Sequence, residues 1–157
     1  MAKEQDCPNI SPRVHPPVVA LMFIVLAYFL GRFAPLPFAA PATLRYVGLA
    51  LTFAGFLCGI AAFLEFRRAR TTLDPHGSSK QLVTSGVYGF TRNPIYLGFL
   101  LMVIGLPLNS GLYWGILLAP FYIFMMNHLV IQHEEQYLEK KFGKSYSSYT
   151  ARVRRWV

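Results

Sequence analysis

An adjacent carboxylate pair, Glu134 and Glu135, and the stretch GVYGFTRNPIYLG at residues 86–98 hold much of the chemistry-bearing side-chain inventory of this chain. The stretch reads as a turn running into a helix. Gly86 permits a backbone turn closed to other residues, and Pro94 suits the first turn of a helix, where its missing N–H costs nothing. The amides that open such a helix can accept an anion such as a carboxylate, and Arg92 sets a fixed cation beside them. Glu134 and Glu135 offer negative charge, while Tyr88 and Tyr96 offer flat apolar faces and hydroxyls. An anion acceptor, a cation acceptor and aromatic surfaces together suit a zwitterionic cofactor that carries a cation.

If one helix runs through NHLVIQHEEQYLEKKFGKSYSSY (127–149), then Ile131, Glu135, Leu138, Phe142 and Tyr149 share a stripe. Glu135 interrupts that apolar face, and Glu134, about 100° round the helix, reaches the same space from the side. An ionised carboxylate on a buried face is costly without a partner. Arg92, the Arg67, Arg68, Arg70 cluster and a cationic ligand all qualify. His128 and His133 have no third ligand at a metal-like spacing, so no metal site is expected. There is no Ser-His-Asp or Cys-His arrangement, and no disulfide is expected between Cys7 in the tail and Cys58 in an apolar run.

The elements that must position these groups are membrane helices. With 54% hydrophobic and 14% charged residues, the chain gathers its apolar residues into long blocks, the pattern of an integral membrane protein. Four blocks stand out: Val18 to Phe33, Tyr46 to Phe66, Ile95 to Leu108, and Leu112 to Ile131. A span needs roughly 20 residues, so the third block must begin its helix at Asn93 or Pro94, and it closes as a hairpin with the fourth through Asn109, Ser110 and Gly111. The expected fold class is all-α: a bundle of about four transmembrane helices, the last two a hairpin, plus a C-terminal cytoplasmic amphipathic helix. It forms a single domain over 1–157 behind a tail at 1–17, with no cleavable signal peptide evident.

Four spans put every Lys and Arg except Arg32 and Arg45 on one side, which the positive-inside rule makes cytoplasmic, with both termini there. That bias, with attraction to anionic headgroups, accounts for the net charge of +8 without nucleic-acid binding. Ionisable residues are nearly absent from the middle of the spans, which disfavours a transporter, and Glu65 and His128 sit near the cytoplasmic ends. Gly55-x-x-x-Gly59, with Gly48 nearby, marks a helix-packing face.

QLVTSGVYGFTRNPIYLG followed by EEQYLEKKFGKSYSSYTARVRRW resembles the isoprenylcysteine carboxyl methyltransferase family and its relatives among membrane phospholipid N-methyltransferases. The likeness runs from about Thr71 to Trp156, which would make 71–156 the cofactor-binding part. The resemblance implies S-adenosylmethionine as cofactor, lined by Lys80, Gln81, Leu82, Val83, Tyr88, Asn93, Pro94, Ile95, Tyr96, Gly98, Glu134 and Glu135. It implies positioning roles in catalysis for Arg92, Asn93 and Glu135. Asn93 stands where the isoprenylcysteine enzymes have histidine, and Val130 where the eukaryotic ones have a substrate-binding arginine. The expected acceptor is a lipophilic small molecule or lipid entering from the bilayer of an inner or plasma membrane, methylated at a carboxylate or an amine. The contrary class is a non-catalytic four-helix membrane protein whose basic edge binds anionic lipid or a partner.

Overall fold

The computed structural model describes residues 15–38, 40–69 and 81–157. Lys80 and Arg70, together with Cys7 and most of the 1–17 tail, lie outside the described residues. Regular structure among the described residues is helical throughout. It comprises α1 (Pro16–Phe33), α2 (Ala42–Arg68), a 3-10 turn (Gly86–Gly89), α3 (Pro94–Asn109), α4 (Trp114–Met126), α5 (Gln132–Phe142) and α6 (Lys144–Thr150). A π turn at Asn127–Ile131 joins α4 to α5 without a break.

Three helices are long and apolar enough to cross a membrane: α1, α2 and the continuous Trp114–Phe142 rod. Their outward faces expose Leu21, Phe29, Phe53, Phe56, Phe121 and Phe124, more apolar surface than a water-soluble monomer carries. This is a membrane protein. α3 does begin at Pro94, but its 16 residues rise only about 24 Å at 1.5 Å each. It is therefore a shorter apolar helix beside three of spanning length, and not a fourth of equal reach.

The shortness of α3 goes with its place. Tyr96, Leu100, Val103, Gly105 and Leu108 are all buried, the all-round apolar burial of a helix enclosed by others. α1 presents Ala20, Phe23 and Ala27 to the interior, and Phe23 meets Tyr122 of α4 edge to face at 5.6 Å between ring centroids. α2 packs closest on α3, because glycines remove the side chains between them. A Cβ on Gly98 would stand 2.7 Å from the Gly55 carbonyl oxygen, and one on Gly105 would stand 2.6 Å from that of Gly48. The contact thus runs through Gly48 and Gly55, one heptad apart. The expected packing face is therefore present and centred on Gly48 and Gly55, whereas a Cβ on Gly59 would meet nothing within 4 Å.

The α3–α4 hairpin closes through Gly111, at φ +88°. Arg45 Nε donates to the Asn109 carbonyl while Asn109 Nδ2 donates to the Arg45 carbonyl, both at 3.0 Å, tying the start of α2 to that turn. At the opposite end the expected single helix through residue 149 does not hold. Gly143 takes φ +48°, a conformation that side chains oppose, so the chain breaks there and Tyr149 belongs to α6. Tyr149 nevertheless packs with Tyr146 and Val153 in a cluster that Leu138, Phe142 and Leu82 complete.

Candidate functional site

The end of the bundle holding the end of α2, the start of α3 and all of α5 gathers the polar groups. Gly86 has φ +58°, and a Cβ there would lie 2.6 Å from the Glu65 carboxyl carbon. The turn thus needs glycine for both its backbone and its neighbour. Glu65 is 7% exposed and accepts from Ser85 Oγ and from Arg68, each at 2.6 Å. It fastens the 3-10 turn to α2. On that turn Tyr88 is buried against Val83 and Ala62, with Phe66 edge-on at 5.5 Å, and its carbonyl accepts the Tyr149 hydroxyl at 2.7 Å.

Burial holds the Tyr88 hydroxyl well above the ordinary tyrosine range, reinforced by the nearby Glu134 charge. Burial also pushes Tyr146 up to about 12, with Glu135 adding to the shift and Arg92 opposing it. Tyr149 is likewise pushed up to about 12 by burial. These phenols stay protonated at neutral pH, and the Tyr149 hydroxyl spends its proton on the Tyr88 carbonyl.

The Thr91–Asn93 approach to α3 is bound to a segment that no spacing argument singled out. The Arg92 amide donates to the Arg154 carbonyl at 3.0 Å. Asn93 Nδ2 and Thr91 Oγ1 both donate to the Arg155 carbonyl, at 3.0 and 3.2 Å. Asn93 makes no side-chain cap to α3, since its amide nitrogen is directed at that carbonyl.

From the other side comes α5. The π turn adds about one residue to its turn, rotating everything beyond it by about 100° relative to an unbroken α-helix. Beyond it the two carboxylates take different partners. Glu134 Oε1 accepts from the Tyr96 hydroxyl at 2.6 Å. Glu135 is held by Arg155, with Nε to Oε1 at 3.1 Å and Nη2 to Oε2 at 2.5 Å, and by Arg92 Nη1 at 3.2 Å. Among the open partners for Glu135, Arg92 is therefore realised, while Arg68 serves Glu65 instead.

The arrangement brings Tyr88, Arg92, Asn93, Pro94, Tyr96, Glu134 and Glu135 into one neighbourhood, with Val83 against Tyr88 and Ile95 packed beside them. Leu82 sits on the α6 cluster, Gln81 is exposed, and Gly98 faces Gly55 across the α2–α3 contact. His128 turns its Nδ1 back to the Phe124 carbonyl of its own helix at 2.9 Å, on the exposed side. Val130 is fully buried in the main core. Sequence reasoning missed Arg155 and Trp156, although the RVRRW run carries both.

The charge balance is uneven. Two guanidiniums surround Glu135, whereas Glu134 has no ion pair among the described residues. Arg92 Nε and His133 Nδ1 are buried without a hydrogen-bond partner. A half-buried acid with no ion pair among the described residues, at the same end of the bundle as two buried nitrogens lacking partners, fits a ligand that brings both a positive charge and hydrogen-bonding groups.

A sequence model of the family described as phospholipid methyltransferase matches residues 44–145. The chain belongs to the phospholipid methyltransferase family. Among its relatives, the protein-S-isoprenylcysteine O-methyltransferase of Schizosaccharomyces pombe is 35% identical over 72 residues, covering 46% of this chain and 30% of that protein. A delta(14)-sterol reductase of Mus musculus is 35% identical over 82 residues, covering 50% of this chain and 19% of that protein. An uncharacterized Haemophilus influenzae protein is 39% identical over 66 residues, covering 40% of this chain and all of that protein. The chain spans less than a third of the length of the first two. The family match contains α3, the π turn, Glu134 and Glu135, and stops before α6 is complete.

Proposed function

We propose that this protein is an S-adenosylmethionine-dependent methyltransferase acting on a lipophilic small molecule or lipid, with the reaction at the α2–α3–α5 end of the bundle. The observation that carries the reading is Glu134, a carboxylate bonded to the Tyr96 hydroxyl with no cation paired to it among the described residues, in a member of the phospholipid methyltransferase family. Gln81, Leu82 and Val83 would lie along the cofactor; Tyr88 and the Asn93–Tyr96 turn would enclose it; Glu134 would face its positive charge. When bound, the cofactor supplies an electrophilic methyl on a sulfonium, so the protein contributes placement and the exclusion of water.

The residues divide that work. Tyr96 orients one Glu134 oxygen. Arg92 and Arg155 neutralise Glu135, so a single uncompensated acid faces the ligand. The buried Tyr88 and Tyr96 rings exclude water from one wall. An acceptor arriving as a protonated amine must lose a proton, and Glu134, Glu135 and His128 are the candidate bases. Val130 offers no cation to an acceptor carboxylate, which favours an amine over a prenylcysteine-type acid. On the positive-inside rule this end of the bundle faces the cytoplasm, where soluble cofactor enters while the acceptor arrives laterally from lipid.

Incubation of purified protein with methyl-labelled S-adenosylmethionine and a native lipid extract tests the reading. Label is expected in an organic-extractable product. The match to sterol reductases favours one competing chemistry, reduction, which needs a hydride donor. Saturable binding of a reduced nicotinamide dinucleotide, with no methyl transfer, would replace the methyltransferase reading by that one.

A further inference from the structure

We propose that Arg155 is a positioning residue for the cofactor site, acting through Glu135, and that residues 154–156 are a built wall of that site. The inference rests on the methyltransferase reading above.

Residues 154–156 join the two elements that carry the site. On the α3 side, the Arg154 and Arg155 carbonyls accept from the Arg92 amide, Thr91 Oγ1 and Asn93 Nδ2. On the α5 side, the Arg155 guanidinium grips both oxygens of Glu135. Trp156 Nε1 then donates to Asn127 Oδ1 at 3.2 Å, on the first residue of the π turn. One short stretch of chain thus fixes the spacing between the helix bearing Tyr96 and the helix bearing Glu134.

Charge gives the guanidinium its second task. Glu135 neighbours Glu134 in sequence, and its side chain is only 18% exposed. With Arg155 removed, Glu135 keeps Arg92 alone and loses the forked geometry that holds both oxygens. Residues 154–156 would also lose their grip on α5, so the spacing that sets Tyr96 against Glu134 would loosen. Lysine cannot restore the arrangement, because an ammonium is a point charge that lacks the planar two-donor fork.

The test measures S-adenosylhomocysteine affinity by calorimetry for the wild-type protein, Arg155→Ala, Arg155→Lys, Glu135→Ala and the Arg155→Ala/Glu135→Ala double variant, with hydrogen exchange at the Arg92 amide in parallel. Arg155→Ala should weaken binding about tenfold (about 1.4 kcal/mol) and Arg155→Lys should recover only part of that. In the Glu135→Ala background the Arg155→Ala change should add little, because the two residues act as one unit. Exchange at the Arg92 amide should rise in Arg155→Ala as residues 154–156 loosen. Wild-type affinity in Arg155→Ala, or losses that multiply in the double variant, would overturn the inference while leaving the methyltransferase reading intact. If the wild-type protein itself does not bind, that reading fails instead. Unchanged Arg92 exchange in Arg155→Ala would then overturn the structural half of the proposal as well. Should Arg155→Ala fail to fold, Arg155→Lys carries the same comparison.

Discussion

The Tyr96 hydroxyl, at the first turn of α3, donates to Glu134 Oε1, on α5, at 2.6 Å across 38 residues of chain. A neutral donor on a carboxylate aims one oxygen without cancelling the charge, unlike the paired guanidiniums on Glu135. Charge-assisted bonds of this kind contribute about 1.5–3 kcal/mol. Tyr96→Phe keeps the ring and removes the donor. It is expected to weaken S-adenosylmethionine binding by up to about tenfold and to lower the melting temperature only modestly; calorimetry and thermal unfolding in detergent check both. Unchanged affinity would show that the hydroxyl does not organise Glu134 for the ligand.

Close approach of α2 and α3 makes a contrast between two glycines. A Cβ on Gly98 meets the Gly55 carbonyl oxygen at 2.7 Å, backbone that cannot swing away, whereas a Cβ on Gly59 meets nothing within 4 Å. Gly98→Ala should destabilise the fold by about 1–3 kcal/mol, the cost of overpacking. Gly59→Ala should be neutral or stabilising by up to about 1 kcal/mol, since alanine suits a helix interior better. Unfolding midpoints of the two variants should therefore move apart, and equal midpoints would refute the placement of the contact at Gly98.

Orientation yields to chemical labelling. Ser147 is exposed on α6 at the site end of the bundle. In a Cys7→Ser background, Ser147→Cys should react with a membrane-impermeant maleimide in inverted vesicles and not in right-side-out ones. The reverse pattern would place the site on the other face.

Where local chemistry decides, the sequence was legible. Pro94 starts α3, Gly86 adopts a positive φ, Gly111 closes the hairpin, and the polar residues collect at one end of the helices. Each of these is settled within a few residues by proline's missing donor, glycine's missing Cβ or the dislike of charge for hydrocarbon. What stayed hidden depends on distant partners. Gly48 and Gly105 share no motif, and their pairing exists only once α2 and α3 have packed antiparallel. Arg155 reads in isolation as one more basic residue at a membrane edge, and only folding brings it to Glu135. The π turn has no composition of its own; NHLVI would also suit a plain α-helix. Gly143, by contrast, carries a local signal in the Phe-Gly step, since glycine alone tolerates its positive φ.

The central claim is that Glu134 faces a sulfonium-bearing cofactor. The most direct measurement is a calorimetric titration of the detergent-purified wild-type protein and of Glu134→Gln with S-adenosylmethionine and S-adenosylhomocysteine. Glutamine keeps the shape and can still accept from Tyr96, so the change removes charge alone. Saturable wild-type binding is predicted for both ligands. Glu134→Gln should weaken S-adenosylmethionine by at least tenfold, about 1.4 kcal/mol, and S-adenosylhomocysteine, whose thioether sulfur is neutral, by less, because only the former presents a positive sulfur to the lost carboxylate. Equal affinities of wild type and Glu134→Gln for S-adenosylmethionine, or no saturable binding by well-folded wild-type protein, would contradict the account.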